Sequence, residues 1–169
     1  MKKITLIRHA KSSWKDASLP DIKRPLNKRG KNDAKEMGKH LKKVDLYPDI
    51  VYCSPAKRAR HTAEILLKEL LDENEIIRLH EEIYFSGSSE IISLVKSTKD
   101  QYNSVFLFGH MPDMASVLGD LSGVVKYEFP TCCVASITFD VNHWTDIKEG
   151  EGENNYFVYP KMMPWHNLA

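Results

Sequence analysis

Three observations predict an α/β fold, with helices on both faces of a mostly parallel central sheet in a three-layer α/β/α sandwich. Segments such as "DIVYC" and "VFLF" are apolar without alternating with polar residues, as strands do when both their faces are covered. Stretches with the helical period separate these segments, which is the βαβ order. At 169 residues and 42% apolar content, the chain can bury one sizeable core, and residues 1–169 are read as one domain.

The elements follow in order. Strands are expected at Lys3 to Ile7, Asp49 to Cys53, Ile76 to Leu79, Ser104 to Phe108 and Cys132 to Phe139. After the first strand, Leu26, Ala34, Met37, Leu41 and Val44 share one face of a helix that Asn27 would cap. Ser54 followed by Pro55 reads as the cap and first position of the next helix, whose stripe is Ala59, Ala63, Leu66 and Leu70. Ser89 would cap a helix over 88–97 that packs Ile92 and Val95. A last helix begins near Pro112 and Asp113, with Met114, Val117, Leu118 and Leu121 inward. Asp140 to Asn155, rich in Gly, Asn and acidic residues, reads as a loop before the short apolar "YFVYP". Trp144 and Trp165 read as packing residues.

Composition excludes several classes. No apolar run approaches the roughly 20 residues needed to cross a bilayer, and "MKKITLIRH" breaks too early for a secretory signal, so a cytoplasmic protein without membrane contact is expected. Cys53, Cys132 and Cys133 are odd in number and lack CxxC spacing, which points to buried thiols rather than disulfides or redox chemistry. The net charge of +1 hides a dipole: residues 1–43 carry 14 Lys and Arg against 4 Asp and Glu, and the remainder carries 10 against 19. Such a molecule is not a nonspecific nucleic-acid binder, but it can meet an acidic partner.

Three predicted strands end in cationic or ionisable side chains. The first runs into Arg8 and His9, the second leads through Ser54 to Arg58, and "VFLFGH" ends at His110. The carboxyl ends of parallel strands lie along one edge, where α/β proteins bind ligands, so these four side chains should converge. Two close guanidiniums repel each other unless an anion lies between them, and their forks match phosphate oxygens. Adjacent arginines repel a metal ion, and no carboxylate stands at ligand spacing from either histidine, so neither metal nor cofactor is expected. A neutral imidazole is a capable nucleophile toward phosphorus, and Arg8, Arg58 and His110 would stabilise the charge that develops.

"LIRHAKSSW", "SPAKRARHTAE" and "VFLFGHMPDM" resemble, in order, motifs of the histidine phosphatase superfamily, which includes the phosphoglycerate mutases. The likeness is greatest to its small SixA-type phosphohistidine phosphatases, and "DIKRPLNKRG", "FPTCCVASITFD" and "VYPK" extend it over almost the whole chain. The resemblance implies a phosphoglycerate-mutase-like fold. It also implies His9 as the nucleophile that becomes phosphorylated, Arg8 and Arg58 as the phosphate clamp, and His110 as the second histidine on the phosphoryl group. Lys11 and Ser12, in the Lys11 to Ser13 loop, would stand at the pocket rim as substrate-binding residues. Met111 departs from the pattern, since Asn commonly follows the histidine there.

Larger relatives use a Glu after the third strand as general acid, and Glu81 and Glu82 stand near that place, Glu82 at the better spacing. An alcohol leaves phosphorus as an alkoxide and needs a proton donor, whereas an imidazole, with a free pKa of about 6.5, needs far less help. An indistinct acid therefore favours a phosphoamidate substrate. The short chain leaves little to enclose a small molecule, which suits a phosphorylated partner protein such as a histidine-containing phosphotransfer domain. Trp14, with Lys15, Lys23, Arg24, Lys28 and Arg29, could form a docking rim for an acidic partner, or Trp14 could simply anchor its loop. The alternatives are a phosphatase or mutase for small phosphate monoesters and a noncatalytic phosphate-binding module.

Overall fold

The computed structural model describes residues 1–71, 77–125 and 128–168. Its elements run β1 (Lys2–Arg8), α1 (Lys28–Lys43), β2 (Ile50–Cys53), α2 (Lys57–Leu70), β3 (Ile77–Leu79), α3 (Ser88–Lys96), β4 (Ser104–Gly109), α4 (Asp113–Ser122), β5 (Val134–Phe139) and β6 (Glu153–Val158), joined in places by short 3-10 turns. The six strands form one sheet in the order β3-β2-β4-β1-β5-β6. β3, β2, β4 and β1 are mutually parallel, and β5 and β6 close one side antiparallel. Among the described residues, no helix is long and apolar enough to cross a membrane.

Strands without polar alternation are explained by what covers them. On β4, Val105 and Leu107 face a cluster with Ile91, Val95, Val117 and Leu121 of α3 and α4, whereas Phe106 and Phe108 face Met37, Leu41, Ala63 and Leu66 of α1 and α2. β2 divides the same way, with Ile50 and Tyr52 on one side and Val51 and Cys53 on the other. Both sheet faces are therefore dry, and the three layers follow from the pattern. All three cysteines are buried, and Trp144 is fully buried with its indole N–H on the Tyr102 carbonyl at 2.8 Å.

Asn27 caps α1 as expected, its side chain accepting the Gly30 N–H at 2.8 Å. Elsewhere the local rules give way. Val44 lies just beyond α1 and is exposed, because the stripe ends with the helix at Lys43. α2 begins at Lys57 rather than at Ser54–Pro55, and the Ser54 hydroxyl is engaged with the side chain of His110, the residue that follows β4. α3 begins at Ser88, so Ser89 lies inside it, and Gly87 makes the entry with φ of 93°, a conformation open to glycine. β5 starts at Val134, not Cys132, because Cys132 turns through φ of 60°. The supposed loop Asp140 to Asn155 contains a 3-10 turn at Trp144–Asp146 and the start of β6, whose partner β5 lies far enough away in sequence to be hidden from local patterning. Of the strand expected at Ile76 to Leu79, Ile76 lies outside the described residues.

The edges of the sheet are short or irregular. β3 has three residues, and the β5–β6 pairing shifts register between Ser136 and Ile137.

α1 and α2 approach closely at Gly38, where a Cβ would collide with the Leu66 carbonyl oxygen. Gly38→Ala is expected to destabilise the protein by about 2–3 kcal/mol through this overpacking. Calorimetry should show Tm lower by about 5–10 °C.

Candidate active site

The carboxyl ends of β1, β2 and β4 lie side by side because the strands are adjacent and parallel. Backbone bonds then tie the residues that follow: the His9 N–H donates to the Gly109 carbonyl at 3.0 Å, and the Ser54 N–H to that of Phe108 at 3.0 Å. The Ala10 N–H donates to the Thr62 hydroxyl at 3.0 Å, which fixes the turn after β1 against α2. A cavity of about 220 Å³ opens at this edge, bordered by Arg8, His9, Arg58 and His110. Lys11, Ser12, Met111 and Thr131 also border it, together with Trp14, Asp21, Arg24 and Phe85.

His9 is oriented by one contact. Its Nδ1 lies 2.7 Å from the Ala10 carbonyl oxygen and must donate to it, so Nε2 carries the lone pair. Arg58 Nε donates to that Nε2 at 3.3 Å. Burial is the largest influence and brings the His9 pKa down to about 4; the Ala10 bond opposes it, and the positive fields of Arg58, Arg8 and Arg24 add to the lowering. The ring is therefore neutral at physiological pH.

His110, 1% exposed, lies with its ring centroid 5.2 Å from that of His9. Its Nε2 is 2.8 Å from Ser54 Oγ, and its buried Nδ1 has no partner. Ser54 Oγ already accepts the Ala56 N–H at 3.2 Å, so its own proton can go to Nε2. With Ser54 donating to Nε2, the proton of the neutral ring is on Nδ1, as a donor available to an anion. Burial, then Arg58, lowers the His110 pKa to about 3.

The arginines are arranged unequally. Arg58 is 2% exposed and commits both terminal nitrogens to Asp21, Nη1 to its carbonyl at 2.8 Å and Nη2 to its carboxylate at 3.0 Å. Only Nε faces the histidine. Arg8 Nη1 donates to the Phe129 carbonyl at 2.9 Å, and its buried Nε has no partner. Arg24, 7% exposed, bonds Asp21 through Nε at 3.2 Å and stacks over Trp14 at 3.4 Å, with Nη1 buried and unpartnered. Unpartnered guanidinium nitrogens beside an unpartnered imidazole nitrogen make a site short of negative charge. Among the described residues, no three His, Cys, Asp or Glu side chains gather as metal ligands would.

The structure thus brings Arg8, His9, Lys11, Ser12, Arg58 and His110 to one cavity, and it does not bring Glu82 there. The turn Glu81–Ile83 buries Ile83 and leaves Glu81 and Glu82 exposed, with Glu82 3.8 Å from His80 Nδ1 and outside the cavity lining. Sequence reasoning missed Asp21, the carboxylate that is there. Partial burial pushes its pKa up, but bonds from the Tyr84 hydroxyl at 2.6 Å and from Arg58, with the charges of Arg58 and Arg24, outweigh this and hold it at about 2. It remains ionised and cannot supply a proton near neutrality. Ser54 and Phe85 were also missed. The available signal was local: an Asp three residues before an Arg in a cation-rich stretch, "DIKR".

The family described as histidine phosphatase superfamily (branch 1) matches residues 4–89, a span holding Arg8, His9 and Arg58 and ending before His110. An uncharacterized protein of Mycobacterium tuberculosis is 30% identical over 154 residues, covering 85% of this chain and 93% of its own. Phosphoglycerate mutase 1 of Saccharomyces cerevisiae is 32% identical over 114 residues, 62% of this chain and 45% of the mutase. Among solved structures, the protein histidine phosphatase SixA complexed with tungstate superimposes with a TM-score of 0.81 at 24% identity, over 99% of both chains. Phosphoserine phosphatase from Entamoeba histolytica, in complex with 3-phosphoglyceric acid, gives 0.68 at 16% identity, over 95% of this chain and 98% of that one. These structures share the fold.

The two depressed histidines make stability depend on pH. Unfolded, each titrates near 6.5; folded, His9 does so near 4 and His110 near 3, so the unfolded chain binds more protons in between. Their contribution is complete above about pH 6.5 and is lost as pH falls toward the folded values. Urea unfolding at pH 7 and pH 5 should show His9→Gln losing about 2 kcal/mol less than wild type over that interval.

Proposed function

The chain belongs to the histidine phosphatase superfamily, and on that premise we propose that it is a metal-independent phosphohistidine phosphatase acting through a phosphorylated His9. The observation that carries this reading is the pairing of an oriented lone pair with a waiting donor: Nδ1 of His9 is held at 2.7 Å by the Ala10 carbonyl, and Nε2 faces Arg58 Nε.

In the first step the Nε2 lone pair attacks phosphorus and the substrate's P–N bond breaks, its electron pair staying on the leaving ring nitrogen. A proton already on the other nitrogen of that ring lets it depart as neutral imidazole. In the second step water attacks phospho-His9, the P–Nε2 bond breaks, the pair returns to Nε2 and the water's proton leaves with phosphate or solvent. Arg8, Arg58 Nε and the Nδ1–H of His110 are the donors placed to take charge on the phosphoryl oxygens. Lys11 and Ser12 border the same cavity as binding residues. The substrate would be a phosphorylated partner protein, a histidine-containing phosphotransfer domain being the kind implied by the resemblance to SixA-type enzymes.

A second reading, hydrolysis or mutase transfer of small phosphate esters, draws on the likeness to phosphoglycerate mutase. Against it stands the proton supply, because an alkoxide needs a donor. The carboxylate in the cavity, Asp21, is ionised, and Glu82 stands outside. Cleavage of the P–N bond needs neither Glu81 nor Glu82 as an acid, because the leaving ring carries its own proton.

The test is turnover of a phosphohistidine-bearing protein beside a panel of sugar phosphates and nucleotides, with and without EDTA. Wild type should release phosphate fastest from phosphohistidine, undiminished by EDTA, and His9→Ala should lose at least about a thousandfold. Acid-labile phosphate on His9 should be trapped by quenching at alkaline pH, and faster release from an ester would overturn the preference. The pH profile of kcat/KM should rise through about 4 as His9 deprotonates and fall as the substrate ring, near 6.5 when free, loses its proton.

A further inference from the structure

Two exposed aromatic rings border the mouth of the phosphate cavity. Trp14 is 72% exposed and Phe85 49%, and both line the cavity that holds His9 and His110. Large apolar side chains left in water at the rim of a polar pocket mark a surface awaiting a partner. Each ring, moreover, has one face covered by a residue of the site. The guanidinium of Arg24 lies 3.4 Å from the Trp14 ring centroid, and Phe85 stacks on His110 at 4.7 Å with the planes 27° apart.

Phe85 is not there by default. Its backbone has φ of 59°, a left-handed conformation disfavoured for a residue with a side chain, and the preceding 3-10 turn sends Ile83 into the core. The neighbouring Tyr84 meets it edge-on at 4.9 Å, while the Tyr84 hydroxyl is tied to Asp21. Strain held in place by packing, at the rim of a site, is a feature the surrounding structure maintains.

In-line attack by His9 requires the leaving atom to stand on the far side of phosphorus, toward the mouth. A leaving group with a flat face gains there from stacking, and an aliphatic ester gains nothing comparable. We propose that Trp14 and Phe85 form the leaving-group subsite, receiving the planar imidazole ring of phosphohistidine as it separates from phosphorus. This rests on the phosphohistidine reading above and makes the two rings specificity determinants for it.

The test compares two substrates that share the P–N bond, phosphoimidazole with a ring and phosphoramidate without one. For each variant, the ratio of their kcat/KM values is divided by that of wild type, which cancels the intrinsic difference between the leaving groups. Phe85→Leu and Trp14→Leu should each lower the ratio about fivefold to tenfold, and Phe85→Tyr and Trp14→Phe should restore it. Inhibition by inorganic phosphate reports the integrity of the anion site in each variant. An unchanged ratio with wild-type phosphate inhibition overturns the subsite. So does an equal loss on both substrates accompanied by weaker phosphate inhibition, since the rings would then merely support Arg24 and His110. Wild type that cleaves a phosphate ester in preference to both phosphoamidates would instead defeat the phosphohistidine reading, and the subsite with it.

Discussion

Everything at the sheet edge depends on a guanidinium facing an imidazole that must remain uncharged. Arg58 Nε can donate to His9 Nε2 only while that nitrogen has a lone pair, and the lone pair survives because burial and three nearby arginines make protonation costly. The same cations would drive each other apart without a counterion, and Asp21 supplies it. Its carboxylate accepts from Arg58, Arg24 and Tyr84 at once, leaving Arg8 Nε, Arg24 Nη1 and His110 Nδ1 without partners. One carboxylate thus stabilises the assembly without neutralising it. The residual positive charge is what a phosphoryl group would meet.

This balance is built by topology rather than by any local motif. Arg8 and His9 come from β1, Arg58 from the start of α2 and His110 from the end of β4, and they meet because those strands are parallel and adjacent. Asp21 and Arg24 arrive on the long connection between β1 and α1. That connection is drawn back to the site by the Ser12–Leu26 bridge and by the Asn27 N–H on the Lys11 carbonyl at 3.0 Å. At Gly30 a Cβ would strike that same carbonyl, so the start of α1 and the rim of the cavity are fitted to each other without room for a side chain.

What the sequence made legible is what depends on nearest neighbours and period. Apolar strands without alternation told of two covered faces, and reactive residues beyond three of the strands told of a common edge. The Asn27 cap was legible because its partner is three residues away. Ser54 was misread because its competing partner, His110, is 56 positions distant, and no local rule ranks a cap against a bond of that range. Asp21 escaped for the same reason, its value lying in Arg58, 37 positions on. Glu82 was suggested by the resemblance to larger relatives and favoured over Glu81 by spacing, yet the turn that buries Ile83 leaves it exposed and outside the cavity lining. β6 was lost in an acidic loop because strand pairing with β5, not its own pattern, defines it.

The unfinished margins of the sheet have a consequence of another kind. A long, flat margin would offer its amide and carbonyl groups to a neighbouring molecule as a template for continuous ribbons. Here one margin is three residues long and the other side is kinked by a shift in register, so neither offers such a template. Strand-to-strand docking of one natively folded copy on another is accordingly disfavoured at both margins.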